Sequence, residues 1–174
     1  MRLAAVLTLA LAALSSTASA APVIGGIGLT LDPSKSPESG QMSTWFAYAP
    51  GSWFLGGELA LGSAQVDGAE LAISYHAILG IRAQLSRSWF VLADGGLGVS
   101  QQIDWKWNIL GDDKMEITTR EWVPSTAARV QLGAELGQIS RSHVGIALAS
   151  DARTTLGDSA ALELGLGLGF FVWN

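Results

Sequence analysis

From residue 71 to residue 85 the chain alternates without a break. Leu71, Ile73, Tyr75, Ala77, Leu79, Ile81, Ala83 and Leu85 share one face; Ala72, Ser74, His76, Ile78, Gly80, Arg82 and Gln84 share the other. A period of two sustained this long marks a strand, because an amphipathic helix repeats about every 3.6 residues. The second face is what constrains the fold. A strand that turns one side to water carries Lys, Glu and Thr there, whereas this side holds mainly small residues with isolated charges. Such a strand needs an apolar surrounding on one side and a cramped interior on the other.

The pattern recurs along the chain. Trp53, Leu55, Leu59 and Leu61 oppose Phe54, Gly56, Glu58, Ala60 and Gly62. Within 89–103, Trp89, Val91, Ala93, Leu97 and Val99 oppose Asp94, Gly96, Gly98, Ser100 and Gln102. Segments 126–137, 144–149 and 162–173 repeat the alternation, and the weaker segments 23–31 and 41–49 bring the count to eight. Connections alternate in length. Ala49 to Ser52, Ser86 to Ser88 and Gln138 to Ser142 are tight, while Asp32 to Gly40, Ser63 to Gly68, Ile103 to Glu121 and Ala152 to Ser159 are longer. Short turns at one end and longer loops at the other predict an all-β, eight-stranded antiparallel up-and-down transmembrane β-barrel with both termini at the short-turn end. Eight strands leave little interior space, so small residues suit the lumen and the Leu/Ile/Val face meets lipid.

The first 20 residues read as a signal peptide. Arg2 precedes an apolar run from Leu3 to Leu14 that is too short to span a bilayer, and Ala18-Ser19-Ala20 suits signal peptidase. Residues 21–174 then form one barrel domain. Charged residues make up 14% of the chain, against about 25% in ordinary soluble domains. No run of 18 apolar residues follows the leader, so a closed barrel is the membrane architecture left open. Without Arg2, nine basic residues face fifteen acidic ones, a formal charge of −6 that argues against nucleic acid as a partner. The absence of cysteine excludes disulfides and thiol chemistry.

Tryptophan placement agrees. Trp53, Trp89 and Trp173 lie beside the short turns or the C-terminus, and Trp105, Trp107 and Trp122 flank the longest connection, as two interfacial girdles would. On the leader, the eight strands, the loop rhythm and the closing segment Leu162 to Trp173, the chain resembles the small outer-membrane barrels of the OmpA transmembrane-domain and OmpX type. That resemblance implies a Gram-negative cell envelope, outer-membrane lipid around the barrel and the barrel assembly machinery as a partner. Such barrels usually end in an aromatic residue; here the chain ends Phe170-Phe171-Val172-Trp173-Asn174, with the aromatic one residue early.

Ionisable residues on the strands fall on the expected lumen face: Glu58, His76, Arg82, Asp94, Arg129, Glu135 and Glu163. Arg82 and Asp94 flank the Ser86–Ser88 turn and are expected to meet across the hairpin. Buried charges must pair, so these residues are expected to form an interior ion-pair network that fills a polar lumen; a narrow solute channel is the alternative. A Ser–His–acid site from Ser74, His76 and Glu58 can be drawn, but residues two apart on one face are mere neighbours, and no catalytic site is expected. The same test disfavours a lipid-modifying enzyme. Two scattered His and no Cys do not make a metal site, and Lys114 interrupts the acidic run of Asp112, Asp113 and Glu116. No cofactor is implied. The expected role is structural or a surface interaction with an extracellular partner through the outer loops. Trp105, Lys106, Trp107, Lys114 and Arg120 on the longest loop form the expected binding surface.

Overall fold

A computed structural model describes residues 22–32, 40–62, 71–107, 115–119, 121–139, 141–156 and 162–174. They form nine β-segments: β1 (Val23–Leu31), β2 (Gly40–Tyr48), β3 (Trp53–Gly62), β4 (Leu71–Gln84), β5 (Trp89–Trp107), β6 (Met115–Thr119), β7 (Val123–Ile139), β8 (Ser142–Thr155) and β9 (Leu162–Trp173). Neighbours pair antiparallel. β1 pairs with β9 and β4 with β5, so the sheet closes on itself. β6 and β7 both lie along β5, Thr119 opposite Ile103 and Val123 opposite Ser100, so they are two stretches of one interrupted strand. The architecture is therefore the expected eight-stranded up-and-down barrel. Following the pairing once around gives a stagger of roughly ten residues, which for eight strands tilts them by about 40°. Closure gives each of the eight barrel strands a neighbour on both sides, a requirement in hydrocarbon, while among the described residues β6 and the end of β5 beyond Ile103 pair with each other alone.

Which face each strand turns outward follows the alternation. On β4, Tyr75, Leu79 and Ile81 are exposed while Ser74, His76 and Ile78 are buried. Leu79 is 60% exposed, which settles the orientation: the Leu/Ile/Val face is the outside. On β9, Leu162, Leu164, Leu166, Leu168 and Phe170 all face out. An unbroken apolar exterior of this extent is far larger than a soluble monomer presents, and its polar residues are turned inward, so the chain is built as a transmembrane barrel.

Three expectations need correction. The segment Ile103 to Glu121 is not a plain loop: β5 runs on to Trp107 and β6 pairs back with it, because the ladder hydrogen bonds extend beyond the apolar alternation. β8 runs to Thr155 rather than stopping near Ala149. Trp173 is not a girdle residue. It is 8% exposed and points into the lumen, on the parity it shares with Phe171. Trp53, Trp89 and Tyr48 do project outward at the short-turn end, and Trp122 and Tyr75 pack together outside β7 and β4, ring centroids 5.7 Å apart.

Candidate functional site

The lumen is layered along the barrel. At the short-turn end it is apolar. Ile24, Trp45, Phe54, Ile78, Phe90, Leu92, Phe171 and Trp173 fill it, all buried. Phe90 meets Phe171 and Trp173 edge-on at 5.7 and 5.2 Å, and Trp45 stacks on Phe54 at 5.6 Å. Glycines make the room. A Cβ on Gly80 would run into the Phe54 ring, and one on Gly133 into the Phe90 ring. The expected polar lumen thus carries an aromatic layer at its short-turn end, where Arg82 lies against Trp173.

Charges occupy the middle. Arg129 donates from Nε and Nη2 to Asp94 at 3.0 and 3.2 Å, and from Nη1 to Glu58 at 2.9 Å. Arg153 donates through Nη1 and Nη2 to both Glu58 oxygens, at 3.1 and 2.9 Å, and through Nε to Asp151 at 3.0 Å. Glu58 therefore joins two guanidiniums, each carrying a second carboxylate. The Arg129 guanidinium also lies 5.0 Å from the centroid of Trp45, tying the charged layer to the aromatic one.

The register sets one further line of residues across the barrel wall. Glu58 on β3 is opposite His76 on β4, His76 is opposite Gly98 on β5, and Gly98 is opposite Ser125 on β7. With no side chain at Gly98, the imidazole reaches across it: His76 Nε2 lies 3.0 Å from Ser125 Oγ, and Nδ1 lies 3.5 Å from Glu58. The order carboxylate, imidazole, hydroxyl is that of a nucleophilic triad, but both Glu58 oxygens already accept from arginines and His76 Nδ1 makes no hydrogen bond. The carboxylate orients two guanidiniums rather than an imidazole.

The expected cluster thus divides by level. Glu58, His76, Asp94 and Arg129 meet at mid-barrel. Arg82 does not join Asp94: Asp94 stands opposite Gly80, Arg82 stands opposite Leu92, and the Arg82 guanidinium lies 5.6 Å from the centroid of Trp173. Glu135 is near the short turns, bound to His143 Nδ1 at 2.6 Å in a half-exposed pair. Glu163 faces the loop end, opposite Arg153. Asp151 and Arg153 are absent from the expected cluster, although the alternation that buries Ala147 and Ala149 places them inward, because the sequence from Ala152 to Ser159 reads as a connection. Of the expected binding surface, Trp105, Lys106 and Trp107 lie on the β5 extension, and Lys114 and Arg120 lie outside the described residues.

Beyond the charges, toward the longer connections, lies a polar cavity of about 60 Å³. Thr30, Ser74, His76, Ser125, Asp151 and Arg153 contribute to its wall. Ser74 donates to Ser100 Oγ at 3.0 Å, closing the side next to His76.

No protein-family profile matches this chain, and no curated protein matches it. Among solved structures it is similar to the Yersinia pestis outer membrane protein Ail in a phospholipid bilayer nanodisc, at 14% identity and a TM-score of 0.46, over 87% of this chain and 99% of that one. It is similar to the N-terminal β-barrel domain of Pseudomonas aeruginosa OprF at 15% identity and a TM-score of 0.42, over 87% and 96%. A de novo designed transmembrane β-barrel gives 10% identity and a TM-score of 0.44, over 87% and 95%.

Proposed function

We propose that the chain is an outer-membrane barrel of a Gram-negative envelope, exported by a leader over residues 1–20, with a structural or surface-interaction role and no catalytic one. The observation that carries this is the exterior: large apolar side chains cover it on every barrel strand, while the ionisable side chains described on mid-strand turn inward. An exported barrel with that surface has the outer membrane as its solvent, and the barrel assembly machinery as its route there. A stiff scaffold with a filled lumen leaves the connections at the loop end as the part free to vary and to meet a partner outside the cell. The aromatic packing at the short-turn end supports a lumen that does not conduct.

Expression of the full chain in a Gram-negative host tests it. The mature protein is expected in the outer-membrane fraction, beginning at Ala21, and migrating faster in SDS before boiling than after. Recovery as a soluble periplasmic protein would overturn it.

A further inference from the structure

Two of the three short turns repeat one motif. Gln84-Leu85-Ser86-Arg87-Ser88-Trp89 and Gln138-Ile139-Ser140-Arg141-Ser142-His143 both run glutamine, aliphatic residue, Ser-Arg-Ser, aromatic ring. The two turns are neighbours around the barrel, because β5 pairs with β7 and the Glu135 amide donates to the Ser88 carbonyl at 2.7 Å. The first turn is closed from within. Ser86 Oγ accepts from the amides of Ser88 and Trp89 at 3.4 and 3.3 Å, and the Gln84 amide donates to the Ser86 carbonyl at 2.7 Å. Arg87 takes no part in holding it. Arg87 and Arg141 are both exposed, and neither has an ion-pair partner among the described residues.

The charge around them is lopsided. From residue 21 onward the chain has fifteen acidic side chains against nine basic ones. Only one of the acids, Glu135, falls at the short-turn end, and it is bound to His143 at 2.6 Å. The other fourteen lie, by sequence position, at mid-barrel or toward the longer connections. Arg82, Arg87 and Arg141 all lie at the short-turn end. An acidic molecule thus presents a cationic rim there, which suits an anionic partner.

The apolar side chains beside the arginines say which one. Leu85 is 60% exposed and Ile139 68%, each two residues from its arginine, about 6–7 Å of strand. Trp53 and Trp89 project outward at the same end. An arginine this close to apolar and indole surface keeps its stem in the apolar layer and sets its guanidinium at headgroup depth, where phosphate is its natural acceptor. A cell-wall polymer would have no use for the exposed Leu85 and Ile139.

We propose that Arg87 and Arg141 bind the headgroup phosphate of an anionic phospholipid in the leaflet at the short-turn end, with Leu85 and Ile139 against its acyl chains. The proposal rests on the membrane reading above and adds a lipid preference to it.

The test uses the full mature chain, refolded in phosphatidylcholine vesicles, transferred to detergent and titrated with phosphatidylglycerol or phosphatidylcholine under native mass spectrometry. The first phosphatidylglycerol is expected to bind more tightly than the first phosphatidylcholine, on the order of fivefold. The preference is expected to vanish in the double variant Arg87→Gln/Arg141→Gln, whose exposed turns leave refolding and the unfolding midpoint unchanged. Arg82→Gln removes a charge from the same end, but from inside the lumen against Trp173, and is expected to keep the preference. If the parent chain refolds into no vesicle, the membrane reading falls and the proposal with it. Refolding with equal binding of the two lipids overturns the proposal alone, as does a preference that survives the double variant or falls equally in Arg82→Gln. Capture on purified cell-wall sacculi that the double variant loses, without any lipid preference, would give the arginines to the cell wall and overturn it too.

Discussion

Arg129 is held from three directions: by Asp94 on the neighbouring strand, by Glu58 across the lumen and by the face of Trp45. Replacing it with Met fills the space but leaves Asp94 without its donors. Breaking a buried pair in this way costs about 3–5 kcal/mol, so the urea midpoint of Arg129→Met in lipid vesicles is expected to fall steeply. Arg82→Ala is the contrast. It loses a cation–π contact with Trp173 worth about 0.5–1 kcal/mol, and the midpoint is expected to move little. If the two variants lose equal stability, the charged layer is not what organises the lumen. Gly80 tests the aromatic layer. A Val there pushes into the Phe54 ring and Asp94, and overpacking of this kind costs about 1–3 kcal/mol, read by the same unfolding measurement.

Each strand carries two incompatible faces, and this decides what a substitution does. Leu79 is at mid-strand on β4 and faces out; Ile78 beside it is fully buried within the lumen. Leu79→Arg places a charge in hydrocarbon and is expected to lose about 2–4 kcal/mol in a bilayer. Equal stability of this variant and the parent in vesicles would mean that the face meets water. Strand ends are less legible in the sequence than strand middles. Backbone ladders do not depend on side-chain polarity, so β8 continues through the polar Asp151 to Thr155, and β5 through Trp107. The alternation from Val144 to Leu148 already assigned Asp151 and Arg153 to the lumen once the strand was allowed to continue. Trp173 is the converse case: parity with Phe171, not nearness to the chain end, sets its direction.

The whole barrel is closed by pairing and filled by two unlike layers, aromatic at the short-turn end and charged in the middle. A conduit would have to pass both. Planar-bilayer recordings of the refolded protein are therefore expected to stay silent, and steady unitary conductance would show that the aromatic layer does not seal the lumen.

Alternation and turn spacing alone determined the strand count, the inside and outside of the six strongly alternating strands, and the end at which the barrel's first strand begins and its last one finishes. They suffice because side-chain direction along a regular strand has a period of two, and the register shift between Glu135 and Gly137 falls near the short-turn end of β7. Only the tertiary structure decided which inward residues meet. Glu58 and Arg153 are 95 residues apart, and His76 and Ser125 are 49 apart. What brings them together is the stagger accumulated around the closed sheet, a property of eight registers jointly and of no single segment. For the same reason the Arg82–Asp94 contact, drawn from one hairpin, gave way to Arg129 from the strand on the other side.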